Sequence, residues 1–233
     1  MPKNKKVKGE KTVTKKKSSI NNAVITRICI ESLLIFLILL VGTLKGGFFL
    51  PVDNWAYSLE ASASKPVIPV AMMVITSIMS LQGAVILGAI ALAILLLQKK
   101  IRLALFLVIA MGAGFVIREI AKLLVHRARP EIGVISETGY SFPSGHATMA
   151  VLFFGLIVYL FKDEFRSLIA KRIFIAVCVI VALLVSYSRL YLEVHWLSDV
   201  LAGIALGIFV LFLGIIAFEN LERKSKNPER INS

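Results

Sequence analysis

Cysteine and histidine are scarce in this chain of 233 residues, which contains two cysteines and three histidines. Cys29 and Cys178 stand inside apolar segments, where they resemble small core or lipid-facing side chains more than a disulfide or metal pair. The histidines, His126, His146 and His195, belong to no CxxC or HExxH pattern. A transition-metal site therefore has poor support, and we expect neither a metal nor a cofactor.

Acidic residues are also few, because 14 aspartates and glutamates face 27 lysines and arginines, for a net charge of +13. Eight of the lysines fall in the first 17 residues, where only Glu10 opposes them. No aromatic residue interrupts this run, so nothing there could stack on bases, and nucleic-acid binding is not expected. We predict a disordered basic tail over residues 1–23 that is attracted to anionic lipid headgroups.

Apolar side chains, in contrast, are too abundant for a soluble domain. Hydrophobic residues make up 58% of the chain, more than a soluble domain of this length can hide in its interior. Residues 24–44 alone are long enough to cross a bilayer, which needs about 20 residues. A signal peptide is the alternative interpretation of this segment, but the apolar stretch is long for one and lacks a convincing cleavage site.

The next part of the chain leaves the number of crossings open. Residues 45–65 are expected to form a connecting loop, and the apolar tract 66–98 is interrupted by polar residues over 77–83. This tract could form two short spans, or one span preceded by an interfacial helix. The positive-inside rule favours one crossing, because it places the basic cluster at 99–102 on the same side as the basic tail.

The sequence therefore predicts an all-α, polytopic membrane protein. Its six spans are 24–44, one crossing within 66–98, 103–124, 145–161, 172–187 and 199–218. Basic residues in the loop 162–172 and in the C-terminal tail, 219–233, predict that both termini lie on the cytoplasmic side of the membrane. One membrane domain, 24–218, then presents the loops 125–144 and 188–198 together at the extracytoplasmic interface.

These two loops and the adjoining helix ends hold an unusual set of polar groups. The set comprises three cations, two imidazoles, one carboxylate and a Ser-Gly step that opens a helix: Lys122, Arg129, Arg189, His146, His195, Asp199, Ser144 and Gly145. Arginine can fork onto two phosphoryl oxygens, and lysine adds a point charge. The free amides and positive dipole end at the start of a helix also suit an oxyanion. The pattern indicates a phosphate site.

The two histidines suit different roles in phosphate-ester cleavage. His195 and Asp199 are four residues apart and meet on one face if this stretch is helical, so that the carboxylate can orient the ring and leave its other nitrogen free to attack phosphorus. His146 then suits the general acid, and a bell-shaped pH profile is expected. His126, Arg127 and Glu131, in the same loop region, could touch a substrate headgroup.

Each element also has an ordinary structural explanation. A basic residue at a helix end often snorkels to the headgroups, Pro-Ser-Gly-His suits a turn and helix cap, and His195 beside Trp196 suits an interfacial aromatic pair. Arg118 and Glu119 precede Lys122 by one turn and are expected to form local ion pairs. The combination of all these groups on one side of the membrane favours the site over these separate explanations.

The combination resembles the three-part signature of the type 2 phosphatidic acid phosphatase superfamily, which includes bacterial membrane lipid phosphatases and vanadium-dependent haloperoxidases. The signature reads Lys-x6-Arg-Pro, Pro-Ser-Gly-His and Ser-Arg-x5-His-x3-Asp, and all eleven positions are present between residues 122 and 199. The resemblance implies His195 as nucleophile, Asp199 as its partner and His146 as general acid. It also implies the following phosphate ligands: Lys122, Arg129, Ser144, Gly145 and Arg189.

The expected activity is hydrolysis of a lipid phosphate through a phosphohistidine, with no metal and no obligatory protein partner. The chain resembles the bacterial members of the family, which implies a bacterial plasma membrane and three candidate substrates: undecaprenyl diphosphate, phosphatidylglycerol phosphate and phosphatidic acid. The outward-facing site slightly favours the first. A phosphotransferase with the same intermediate, a vanadium haloperoxidase and an inactive membrane scaffold are the alternatives. We further expect the three cations to converge without a fixed counterion, so that phosphate or vanadate stabilises the fold.

Overall fold

The computed structural model describes residues 5–62, 68–131 and 133–226, with side chains described within 22–59, 70–131 and 133–225. Over these residues the secondary structure is helical, with no strand. The helices are α1 (Lys5–Leu44), α2 (Leu50–Ser62), α3 (Ile68–Ser77), α4 (Leu81–Leu97), α5 (Ile101–Val125), α6 (Gly145–Phe161), α7 (Leu168–Tyr191) and α8 (Leu197–Lys226). A short 3-10 helix (Lys162–Glu164) follows α6.

The helices agree with the predicted spans. Within the described residues, five segments are long and apolar enough to cross a membrane: Asn22–Leu44, Ile101–Val125, Gly145–Glu164, Leu168–Tyr191 and Leu197–Ser225. Val70–Ser77 and Leu81–Leu97 meet at a bend of 46° and form a sixth span if they are counted together. The prediction of an all-α, polytopic membrane protein is therefore confirmed. Which face of the bundle points out of the cell stays a prediction.

The bend between α3 and α4 has a clear cause in the sequence. The hydroxyl of Ser77 donates to the carbonyl of Val74 at 2.6 Å, and Ser80 caps α4 by accepting from the amide of Gly83 at 3.1 Å. A Cβ at position 83 would clash with the backbone of Ser77 and Ile78. Glycine is thus required where the new helix begins against the end of the previous one.

Helix α8 lies at the centre of the bundle and packs closely on α6. Gly203 and Gly207, one turn apart on α8, face the α6 backbone. A Cβ at position 203 would lie 2.6 Å from the Ser144 carbonyl, and a Cβ at 207 would lie 2.8 Å from the Thr148 carbonyl. Two small residues at this spacing let membrane helices approach closely. The close approach brings the start of α6 against the start of α8, where the Ser144 amide donates to the Asp199 carbonyl at 3.0 Å.

The connection between α1 and α3 departs from the prediction. The sequence analysis assigns 45–65 to a loop, whereas the structure contains α2 from Leu50 to Ser62. Pro51 fits this helix because proline is tolerated in a first turn, where its missing amide hydrogen has no helical partner to lose. In that turn Asp53 is almost fully buried, at 1% exposure, and reaches the predicted site.

The predictions for the two tails stay predictions. The backbone of α1 is helical from Lys5, but residues 1–4 and the side chains before Asn22 lie outside the described ones. Disorder of residues 1–23, and their attraction to lipid headgroups, are therefore not tested. The last residues of the C-terminal tail, 227–233, also lie outside the description.

Candidate active site

The predicted site residues lie at one end of the bundle, on the ends of four helices and the loops between them. Lys122 is in the last turn of α5, Arg129 in the loop that follows, and Arg189 in the last turn of α7. Ser144 precedes α6, whose first two residues are Gly145 and His146. His195 lies just before α8, and Asp199 lies in its first turn.

His195 is held between a carboxylate and a guanidinium. Its Nδ1 lies 3.5 Å from Oδ2 of Asp199, and its Nε2 lies 3.2 Å from Nη1 of Arg129. The first distance is longer than a good hydrogen bond. A proton on Nδ1 would face the carboxylate and leave the lone pair of Nε2 for reaction. The amide of Trp196 also donates to Oδ2 of Asp199, at 3.0 Å, so one carboxylate oxygen orients both groups.

The environment of His195 favours the neutral ring. The side chain is 2% exposed, and burial lowers its pKa to about 4. Asp199 opposes this shift, whereas the charges of Arg129 and Arg189 lower the pKa further. A neutral imidazole is the form that can attack an electrophile.

Arg127 and Asp53 belong to the site, although the sequence analysis did not assign them to it. Arg127 donates from Nη1 to Oδ1 of Asp199 and from Nη2 to Oδ2 of Asp53, both at 2.6 Å. Asp53 in turn accepts from the amide and the hydroxyl of Ser198, each at 2.8 Å. A contact of Arg127 with a headgroup stays a prediction, whereas its contacts in the structure join α2 to the start of α8 and orient the carboxylate beside His195. The positive charge of Arg127 offsets the negative charges of these two buried carboxylates, which would be costly to bury alone.

Arg189 is fully buried and is bound by two side chains. Its Nη1 donates to the hydroxyl of Thr76 at 2.7 Å, and its Nη2 donates to Oε1 of Glu137 at 2.5 Å. The other oxygen of Glu137 lies 3.9 Å from Nη2 of Arg129. Burial alone would raise the pKa of the Glu137 carboxyl, but the charges of Arg189, Arg129 and His195 and the hydrogen bond from Arg189 bring it below its ordinary value.

The expectation of cations without a fixed counterion is therefore wrong. Glu137 lies between Arg189 and Arg129. At the end of α5, Glu119 lies 3.1 Å from Nε of Arg118 and 3.6 Å from Nζ of Lys122. The local ion pairs expected of Glu119 are present. Glu137 was missed because it lies outside the signature and more than 50 residues from Arg189 in the chain.

The start of α6 brings further donors to the site. The hydroxyl of Ser144 is fully buried, and a Cβ at Gly145 would clash with the guanidinium of Arg118. Three buried side-chain atoms of the predicted site residues have no hydrogen-bond partner within the described part of the chain: Ser144 Oγ, Arg189 Nε and His195 Nδ1. Buried polar atoms are normally paired, so their concentration among the predicted site residues indicates groups that bind a ligand.

The residues do not form a recognisable metal site. Within the described ranges, no three side chains of the His, Cys, Asp and Glu types come close enough together to bind a metal ion. That the reaction proceeds without a metal stays a prediction that a chelator can test.

Comparison with known proteins finds one family. The sequence model of the PAP2 superfamily matches residues 103–223, just over half of the chain. Among solved structures, the chain is similar to that of a transmembrane PAP2-type phosphatidylglycerolphosphate phosphatase from Bacillus subtilis. The TM-score is 0.77 at 26% identity, over 84% of this chain and 98% of that one.

Two curated relatives are similar over shorter segments. Phosphatidylglycerophosphatase B of Bacillus subtilis is 33% identical over 112 residues, which are 47% of this chain and 55% of that protein. Undecaprenyl-diphosphatase of Sulfolobus acidocaldarius is 35% identical over 131 residues, which are 53% of this chain and 59% of that protein. The matches thus span little more than half the length of these relatives.

Proposed function

Because the chain belongs to the PAP2 superfamily, we propose that it is a membrane lipid phosphatase that acts through a phosphohistidine. Its substrate is a lipid phosphate or a polyprenyl diphosphate, from which it removes the terminal phosphate. The proposal rests on one observation above all. A buried, neutral histidine has one ring nitrogen facing Asp199 and the other facing an arginine, and the start of α6 carries the unpaired hydroxyl of Ser144.

The first chemical step follows from this geometry. Nε2 of His195 attacks the terminal phosphorus, and the bond from phosphorus to the leaving oxygen breaks. His146, at the start of α6, donates a proton to that oxygen, while Asp199 stabilises the positive charge that develops on the ring of His195. Lys122, Arg129, Arg189 and the donors of Ser144 and Gly145 stabilise the charge on the phosphoryl oxygens.

The second step releases phosphate. His146, now neutral, takes a proton from a water molecule, whose oxygen attacks the phosphorus of the phosphohistidine. The bond between phosphorus and Nε2 breaks, and its electron pair returns to the ring. A lipid hydroxyl in place of water would give the phosphotransferase, so the identity of the product distinguishes the two reactions.

The substrate belongs to one of three lipid classes. Undecaprenyl diphosphate comes first, because a site at the extracytoplasmic interface suits recycling of this carrier. Phosphatidylglycerol phosphate and phosphatidic acid follow. The names of the two curated relatives include the first and second of these. The apolar tail would lie among the helices, with the terminal phosphate at the cations of the site.

Phosphate release by the detergent-purified protein tests the proposal. Each of the three lipids is supplied with a chelator present, and His195→Ala is the comparison. Release that survives the chelator and is lost in the variant supports a metal-independent histidine phosphatase, and the relative rates rank the lipids. Release that is equal in His195→Ala contradicts it. Transfer to an added lipid acceptor without free phosphate would show the phosphotransferase instead.

A further inference from the structure

The segment from Glu137 to Gly139 contacts both of the arginines proposed to bind phosphate. The Glu137 carboxylate bonds Arg189 at 2.5 Å and lies 3.9 Å from Arg129. The carbonyls of the next two residues, Thr138 and Gly139, accept from Nη2 and Nε of Arg129 at 3.2 and 3.0 Å. In this state, three residues of one loop use donors that a phosphoryl group would need.

Arg129 has a further contact that bears on reactivity. Its Nη1 donates to the carbonyl of Val194 at 2.9 Å and lies 3.2 Å from Nε2 of His195. The nitrogen proposed to attack phosphorus is therefore covered by an arginine that the Glu137–Gly139 segment holds in place. A substrate must shift these contacts before it can reach His195.

A carboxylate is a close stand-in for part of a phosphoryl group. Both present two oxygens in a plane that an arginine can contact with parallel N–H bonds. Glu137 is partly buried, with its side chain 27% exposed, and its negative charge is stabilised by both arginines.

We propose that Glu137 is a tethered competitor of the substrate: its carboxylate occupies the phosphoryl position between Arg189 and Arg129, and the substrate's phosphate displaces it. The inference rests on the proposed function, because it assigns these arginines to the substrate. An anion must therefore bind the two arginines strongly enough to displace the carboxylate of Glu137. This carboxylate selects against weakly bound anions and helps to expel the phosphate product.

The proposal predicts the direction of one substitution. The apparent affinity is proportional to the fraction of the protein whose site is open, so removing the competitor raises the affinity. Because a hydrogen bond to a charged group is worth about tenfold or more in such an equilibrium, Glu137→Gln should bind orthovanadate about tenfold more tightly than the wild type. The KM for the lipid should fall as well, while kcat should not rise.

The test is the Kd of orthovanadate, measured from the shift of the melting curve of the full chain in detergent. The matched control is Glu131→Gln, the same change of charge in the same loop at an exposed residue. The proposal expects tighter binding in Glu137→Gln and little change in Glu131→Gln. An equal fall of the vanadate Kd in both variants would show that the effect comes only from the loss of a negative charge near the site. That result would overturn the proposal.

Unchanged or weaker binding in Glu137→Gln would also overturn it, because Glu137 would then serve to position Arg189. Should that variant not fold, Glu137→Asp provides a second test. Its carboxylate is one methylene shorter, so vanadate binding should tighten, but less than with glutamine, and an unchanged Kd would contradict the proposal. The readout needs no turnover, so a protein that binds vanadate but releases no phosphate would refute the proposed function alone.

Discussion

At the scale of single residues, the arrangement depends on a guanidinium that never needs to touch the substrate. Arg127 lies between Asp53 and Asp199, two carboxylates that are almost fully buried, and forms a hydrogen bond of 2.6 Å with each. Without it, both negative charges would remain in an apolar environment with too few donors. The orientation of the carboxylate beside His195 would also be lost.

Replacing Arg127 with alanine should therefore affect stability and activity together. Removing one partner of a buried ion pair costs about 3–5 kcal/mol of unfolding free energy. We also expect activity to fall about a hundredfold, in line with the loss of an outer-shell partner of a functional group. Melting curves and phosphate release check this, and Arg127→Lys should recover part of the activity.

The control for Arg127 is Arg102→Ala, which removes an exposed ion pair with Glu222 at the other end of the bundle. Such an exposed pair contributes about 0–1 kcal/mol to the free energy of unfolding.

The acid limb of the pH profile of activity should also move to higher pH in the Arg127 variants. Without the positive charge of Arg127, the carboxylate of Asp199 would stabilise the protonated ring of His195 more strongly and raise its pKa. An unchanged profile would mean that Arg127 has only a structural role.

The protonation of His195 gives a second prediction at this scale. Its pKa is lowered to about 4, mainly by burial, against an ordinary value of 6.5. NMR titration of the ring, assigned with His195→Gln, should show a midpoint near 4, whereas a midpoint near 6.5 would contradict this environment. Between these two pH values the unfolded chain takes up a proton that the folded protein does not. The contribution of His195 to stability should therefore decline as the pH falls from 6.5 to 4 and then level off.

At the scale of secondary-structure elements, the contact of α6 with α8 positions the site. Gly203 faces the carbonyl of Ser144 and the side chain of Ala147, so any larger residue must push the start of α6 away from Asp199. Gly203→Ala should cost about 1–3 kcal/mol through overpacking. Because the displaced segment carries Ser144 and His146, phosphate release should fall as well.

Gly88→Ala in α4 is the matched control, because a Cβ there meets nothing within 4 Å. Alanine is the better helix former, so this variant should keep its activity and melt no lower than the wild type. Melting curves and initial rates compare the two variants. Equal behaviour would show that the close approach of α6 and α8 is not needed for the site.

Some of these elements could be predicted from the sequence and others could not. The spans follow from the length of apolar segments, and the bend in the tract 66–98 follows from its polar residues. The sequence predicts a loop where α2 forms, because Pro51, Asp53 and Asn54 are also common in turns. The signature residues are recognised by spacing alone. Spacing does not reveal the ion pairs of Asp53 with Arg127 and of Glu137 with Arg189, because their partners lie 74 and 52 positions apart in the chain.

At the scale of the whole molecule, the membrane orientation decides which lipids reach the site. The distribution of basic residues predicts that the loop 125–144 faces out of the cell and that the loop 162–172 faces the cytoplasm. Cysteine labelling can test this, because the two native cysteines are buried. Ser136 and Arg166, exposed residues at opposite ends of the bundle, are suitable positions for new cysteines.

A membrane-impermeant maleimide applied to intact cells should label Ser136→Cys and leave Arg166→Cys unlabelled until the membrane is permeabilised. The reverse pattern would place the site on the cytoplasmic side and remove the argument for undecaprenyl diphosphate as the first candidate. Labelling of both positions in intact cells would contradict the predicted number of crossings.

The proposed mechanism depends on a covalent intermediate at His195, and trapping that intermediate tests the mechanism most directly. With p-nitrophenyl phosphate, whose leaving group needs no proton, His146→Ala should still form the phosphoenzyme but hydrolyse it slowly. Rapid denaturation in base followed by mass spectrometry should then find phosphate on His195, and none in the double variant with His195→Ala. Phosphate on another residue, or turnover that persists in the double variant, would contradict the mechanism.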